Sequence, residues 1–164
     1  VVTPTMKVGD TMKVGDTMKV GDRLHSRPRI ITPTEMDLIP LLTGSWNPVF
    51  WSDEASRKAG HGRKRRMAPF YYLVPVSIGM AYQTGVFDRA HGYPTGLDKV
   101  RFFTPAYERD TLEVDIKALK VASSTGSKSE TLLEFTTKKQ TGEKVLSFNF
   151  IMAYSKRSLK PGRR

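Results

Sequence analysis

Arg57, Lys58, Arg63, Lys64, Arg65 and Arg66 place six cations within ten residues, the densest concentration of chemically distinctive side chains in the chain. Guanidinium and ammonium groups at that spacing attract phosphate-bearing or other anionic partners. The whole chain leans the same way, with 27 Lys+Arg against 16 Asp+Glu and a net charge of +11. A nucleic acid, an anionic membrane surface and a phosphorylated ligand all suit such a balance, and a solvated surface explains the cluster with no ligand at all. The aromatic residues fall mostly in an apolar run downstream rather than between the charges, which weakens a base-stacking platform. Other chemistry is sparse. The absence of cysteine removes disulfides, thiolate catalysis and zinc–thiolate sites together, and fits a reducing, cytoplasmic setting. His25, His61 and His91 are the only histidines and form no zinc pattern; no HExxH, EF-hand or Walker sequence occurs, so no metal is expected. Among the carboxylates, Asp53 and Glu54 read as first-turn helix residues favoured by the helix dipole, whereas folding can carry Asp88 towards a cleft.

The element that must position these groups follows the cations directly. Residues 68–87, APFYYLVPVSIGMAYQTGVF, carry no charge. About 20 apolar residues also match a bilayer core. Pro69, Pro75, Gly79, Gly85, Ser77, Gln83, Thr84 and three tyrosines dilute the run, so it reads as the buried core helix of a soluble domain, residues 69–87. Pro75 falls inside it and predicts a kink or a late helix start.

Before that helix, residues 5–22 repeat TMKVGD three times. The unit is too short for a solenoid, and residues 1–18 are set aside as an extension. Nothing at the amino terminus resembles the apolar core of a secretory signal. Residues 21–32 read as a strand. Thr32, Pro33 and Glu35 then form a capping box with proline at the first helical position, and Pro40 is expected to shorten or bend that helix. Asn47-Pro48 signals a turn, and residues 53–59 form a short helix closed by Gly60. After the core helix, residues 91–96 read as a loop and residues 100–104 as a short strand. Residues 111–121 alternate Leu112, Val114, Ile116 and Ala118 with charges, the mark of a half-buried strand. A turn at 123–129 and strands at 132–138 and 144–154, joined by Gln140-Thr141-Gly142-Glu143, complete an antiparallel meander. The tail, residues 157–164, is basic. An early strand, one buried helix and then consecutive strands give an α+β layout in which an antiparallel sheet wraps the helix, a hotdog fold over residues 19–156.

Five segments in order resemble the MaoC-like (R)-specific enoyl-CoA hydratases and dehydratases: KVGDRL, LTGSWNPVFWSDEASRKAG, RMAPFYYLVPVSIGMAYQTG, LDKVRFFTPAYERDTLEV and TGEKVLSFNFIMAYSKR. The second is similar to the family's hydratase motif. That motif carries aspartate two residues before the asparagine and histidine three after it; here Asn47 and Pro48 match, while those two positions hold Ser45 and Phe50. Hydration of an enoyl thioester needs one group to take a proton from water and another to deliver one to carbon. Serine is a poor base without an activating neighbour, and phenylalanine has no proton to exchange. The family's oxyanion donor is a backbone N–H at a glycine opening the central helix, here Phe70, and an amide survives substitution.

The resemblance therefore implies an acyl-CoA hydratase/dehydratase homologue, a lyase-type scaffold that binds an acyl thioester but is weakly active or inactive. Its implied catalytic positions are Ser45, Asn47 and Phe50, and its implied substrate contacts are Pro48, Ala68, Pro69 and Phe70. Arg63, Lys64, Arg65 and Arg66 are matched to the phosphates of coenzyme A, which would be a ligand rather than a resident cofactor. The resemblance also implies a homodimer or higher homo-oligomer, and it disfavours a thioesterase because the helix has no acidic residue before Asp88. A non-catalytic binding or assembly subunit for an acyl-CoA or lipid enzyme is the alternative, and a nucleic-acid binder the third reading.

Overall fold

A computed structural model of the chain describes residues 18–61, 65–87, 92–122 and 128–155. Most of the repeats, the 123–127 part of the expected turn, the tail, Arg63, Lys64, Asp88, His91 and the side chain of His61 lie outside the described residues. Two short strands, β1 (Arg23–His25) and β2 (Arg29–Ile30), precede the helix α1 (Pro33–Thr43). Short helices α2 (Pro48–Trp51) and α3 (Asp53–Ser56) follow, and a further helical turn, Arg57–His61, is closed where Gly60 adopts φ 82°. The core helix α4 (Phe70–Tyr82) then leads into four long strands: β3 (Gly92–Phe102), β4 (Thr111–Lys120), β5 (Lys128–Lys139) and β6 (Lys144–Ser155).

The strands form one six-stranded antiparallel sheet in the order β1-β4-β5-β6-β3, with β2 also paired to β4. Alternation dictates its inner face. Leu112, Val114, Ile116 and Ala118 of β4, Leu133 and Phe135 of β5, and Leu146, Phe148 and Met152 of β6 are all essentially buried. They meet Tyr72, Leu73, Val76, Met80 and Ala81 of α4, so the sheet closes over the helix as expected. Each large side chain buried in this way contributes about 1.5–3 kcal/mol. One polar link crosses the core. Ser77 Oγ donates to Leu73 O at 2.7 Å, so its remaining contact, Thr137 Oγ1 at 2.7 Å, must be a bond that Ser77 accepts.

Several boundaries depart from expectation. The capping box at α1 is formed, with Glu35 N donating to Thr32 Oγ1 and Thr32 N to Glu35 Oε2, and the helix continues past Pro40 to Thr43. The core helix begins at Phe70, five residues before Pro75, so the late start does not occur; it ends at Tyr82, and residues 83–87 are turns. Val86 and Phe87 are nevertheless buried, because apolar character dictated burial rather than helicity. Residues 92–96 are strand rather than loop. An added Cβ at Gly92 would stand 2.3 Å from the Tyr154 ring, so glycine permits a close strand crossing there, and Pro94 is tolerated because β3 is the edge.

Candidate functional site

The amino-terminal end of α4 is where the sequence expectations converge. Pro69 is its N-cap residue and supplies no capping side chain, so the first-turn amides rely on other partners. Among the described residues the Phe70 N–H makes no hydrogen bond, and the Phe70 side chain is half exposed. Beneath it opens a cavity of about 150 Å³ lined by Met67, Ala68, Leu73, Phe102, Phe103 and Val145. Phe70 stacks edge-on against Phe102, with centroids 5.1 Å apart. The site is thus an apolar cleft with a backbone donor and the positive end of a helix dipole at its mouth.

The hydratase-like segment lies against the same end. Met67 N donates to Val49 O at 3.1 Å, and the buried Phe50 ring meets the edge of Tyr71 at 6.3 Å. Asn47 caps α2, its Oδ1 accepting from Val49 N at 3.2 Å, and both Asn47 and Pro48 are exposed. Ser45 is partly buried, its backbone N–H donating to Pro40 O. Phe50 fills space in the core. Trp46 is 63% exposed and stacks on Trp51 at 5.2 Å, so its partner shields one face only. Ala68 and Pro69 are both buried, but only Ala68 lines the cleft, its N–H donating to Ala106 O. The sequence reading passed over one proton-bearing pair. Tyr71, whose ring touches both Phe50 and Phe70, brings its hydroxyl within 3.1 Å of Thr43 Oγ1. Its position next to Phe70 was the available signal.

Two of the cations, Arg65 and Arg66, turn inward. Arg65 donates through Nη2 to Asp110 Oδ1 at 2.9 Å and through Nη1 to Glu108 O at 2.7 Å. Asp110 is fully buried and also accepts from Tyr107 N and Gln140 Nε2. Arg66 bonds Glu108 at 2.8 Å and Asp37 at 2.5 Å; burial lowers its pKa, but these two carboxylates more than offset that and hold it above the ordinary value. The knot fixes the chain that enters α4, since Met67 bridges Tyr107 and Glu108 N donates to Arg66 O. Farther off, His25 is part-buried on β1. Its Nδ1 lies 2.5 Å from Asp115 Oδ1, because the β1–β4 pairing sets the two residues opposite each other. Burial raises the Asp115 carboxyl, but hydrogen bonds from Lys138 and His25 outweigh it and hold the pKa below the usual range.

No metal-holding cluster of His, Asp or Glu exists among the described residues, and no described helix is long and apolar enough to cross a membrane. No protein-family model and no curated protein matches the chain. Solved structures do. The monoamine oxidase regulatory protein from Archaeoglobus fulgius superposes with a TM-score of 0.75 at 19% identity, covering 92% of this chain and 98% of its own. A MaoC-like dehydratase from Rhodospirillum rubrum gives 0.65 at 17% identity, covering 84% and 93%. A Mycobacterium tuberculosis protein with a double hotdog fold gives 0.70 at 15% identity, covering 93% of this chain and 46% of the other. The protein has a hotdog fold of the kind found in MaoC-like dehydratases.

Proposed function

We propose that this chain binds an acyl thioester, with coenzyme A as its carrier, at the amino-terminal end of α4, and that replacement of the acid/base pair by Ser45 and Phe50 leaves turnover weak or absent. One observation carries the reading: Phe70, whose N–H makes no hydrogen bond among the described residues, lines an apolar cleft at the start of α4, an arrangement suited to a polarised carbonyl beside an aliphatic chain. Phe50 is buried against Tyr71 with no titratable group in the histidine position, which supports the loss of proton transfer. Arg65 and Arg66 are held by carboxylates, so within this reading a phosphate contact falls to Arg63 and Lys64, assigned from sequence alone.

The cleft is small beside ordinary ligand pockets of 300 Å³ or more. A second copy would enlarge it. The free edge strand β3 and the adjoining loop carry exposed Tyr93, Leu97, Phe102 and Phe103, and Phe70 is exposed beside them, which supports pairing of two copies at the cleft. The same exposed edge favours the second reading, a non-catalytic binding or assembly subunit that offers this edge to a partner enzyme.

Crotonyl-CoA separates these readings. Saturable binding with little or no loss of enoyl absorbance is expected. Rapid hydration would refute the loss of chemistry, and no binding at all would leave only the assembly role. Binding that weakens with salt as steeply as DNA binding does would favour the nucleic-acid reading instead.

A further inference from the structure

A second depression runs along another flank of α4. Arg29 of β2, Ile39 of α1, and Tyr72, Val76, Gly79 and Gln83 on or just beyond α4 enclose about 330 Å³, within the range of small-molecule sites. Gly79 and Pro75, one turn apart, leave the helix with little side-chain wall; a Cβ built on Gly79 meets nothing within 4 Å. Ile39, Val76 and Met80 make the floor apolar. One end is polar in a specific way. Tyr72 is only 5% exposed, yet its hydroxyl proton has no acceptor. Burial raises the phenol pKa while the Arg29 charge and its hydrogen bond to the phenol oxygen oppose the rise, so the group is a neutral donor at physiological pH.

Arg29 hydrogen-bonds Glu35 through Nη2 and lies within hydrogen-bonding reach of the Tyr72 hydroxyl, and a guanidinium's five donors leave others for a ligand. Glu35 is held by its capping role, its other oxygen accepting from Thr32 N and Oγ1, so it need not move for Arg29 to take a second acceptor. Gln83 closes the far end, eleven residues on from Tyr72 and about 16 Å along the axis at 1.5 Å per residue.

We propose that this groove is a second binding site, separate from the cleft at Phe70, for an amphiphile with one carboxylate and a medium-length unbranched chain. The carboxylate accepts from the Arg29 guanidinium and the Tyr72 hydroxyl, and the chain lies over Val76, Gly79 and Met80 towards Gln83. The guanidinium fork and the phenol choose the headgroup, because both are donors that a carboxylate satisfies and an alcohol satisfies only in part.

Calorimetric titration of the full chain with sodium decanoate, below the concentration at which it self-associates, tests the site. One decanoate per chain is expected. Tyr72→Phe, which keeps the packing and removes the hydroxyl, weakens binding about tenfold. Gly79→Leu fills open space with a better helix former, so it keeps or raises Tm and abolishes decanoate binding, while crotonyl-CoA binding at the cleft is unchanged. Absence of saturable binding, binding that survives Gly79→Leu, or 1-decanol binding as tightly as decanoate would each overturn the assignment.

Discussion

The two depressions beside α4 divide their chemistry in opposite ways. The cleft at Phe70 is lined by apolar and aromatic residues with no titratable side chain, at the helix end whose Phe70 N–H is unbonded among the described residues, whereas the groove at Tyr72 presents a guanidinium and a phenol along a helix flank. Substitution erases side-chain chemistry at a stroke and leaves backbone chemistry intact. Under the proposed reading, the cleft keeps what depends on helix geometry while Ser45 and Phe50 stand in the motif positions of an acid/base pair.

That contrast breaks most severely if the cleft loses its frame. Asp110→Ala leaves the Arg65 guanidinium and the Tyr107 N–H without their buried acceptor, and unfolding free energy in urea is expected to fall by about 3–5 kcal/mol. Thioester binding at the cleft should weaken with it, because the same knot fixes the approach to α4. Restoring the missing chemistry sharpens the contrast from the other side. If the cleft retains its backbone donor, Ser45→Asp combined with Phe50→His should raise crotonyl-CoA hydration by roughly 10²–10⁴-fold, the usual contribution of a positioned acid/base pair. An unchanged rate in a folded double variant would mean that the Phe70 N–H does not face the carbonyl.

Smaller effects test the helix core and the far edge of the sheet. Ser77→Ala strands the Thr137 hydroxyl in a dry core and should cost about 1–3 kcal/mol, and a second change, Thr137→Val, should recover part of it by removing the orphan. Asp115→Asn should cost only about 1 kcal/mol at pH 7, since the pair it makes with Lys138 is partly exposed. Its pH signature is more telling. The Asp115 pKa is depressed in the folded state, so its contribution is complete above the unfolded value near 3.9 and is lost as pH falls through the lower folded value. Thermal unfolding measured from pH 6 to pH 2 should therefore show a shallower acid decline in the variant than in the wild type.

Much of the framework was legible because it is encoded between near neighbours. The Thr32–Glu35 box spans three residues, the alternation of β4 repeats every second residue, and the Gln140–Glu143 turn joins adjacent strands. Misreadings fell where a distant partner decided the local state. The first half of β3 is strand because β6 and the Tyr154 ring lie over Gly92, and residues 83–87 leave the helix while Val86 and Phe87 stay in the core. The cations show the same limit. Arg65 and Arg66 read as ligand contacts from their neighbours in sequence, while their carboxylates stand 29 to 45 residues away.

By itself the sequence determined the uncharged core helix and the meander that wraps it, since each depends on residue type and short-range periodicity. Only the tertiary structure decided which cations meet carboxylates, which hydroxyls are buried without partners, and where α4 leaves space on its flanks. Those outcomes depend on groups far apart in the chain meeting at bond distance, which local sequence does not encode.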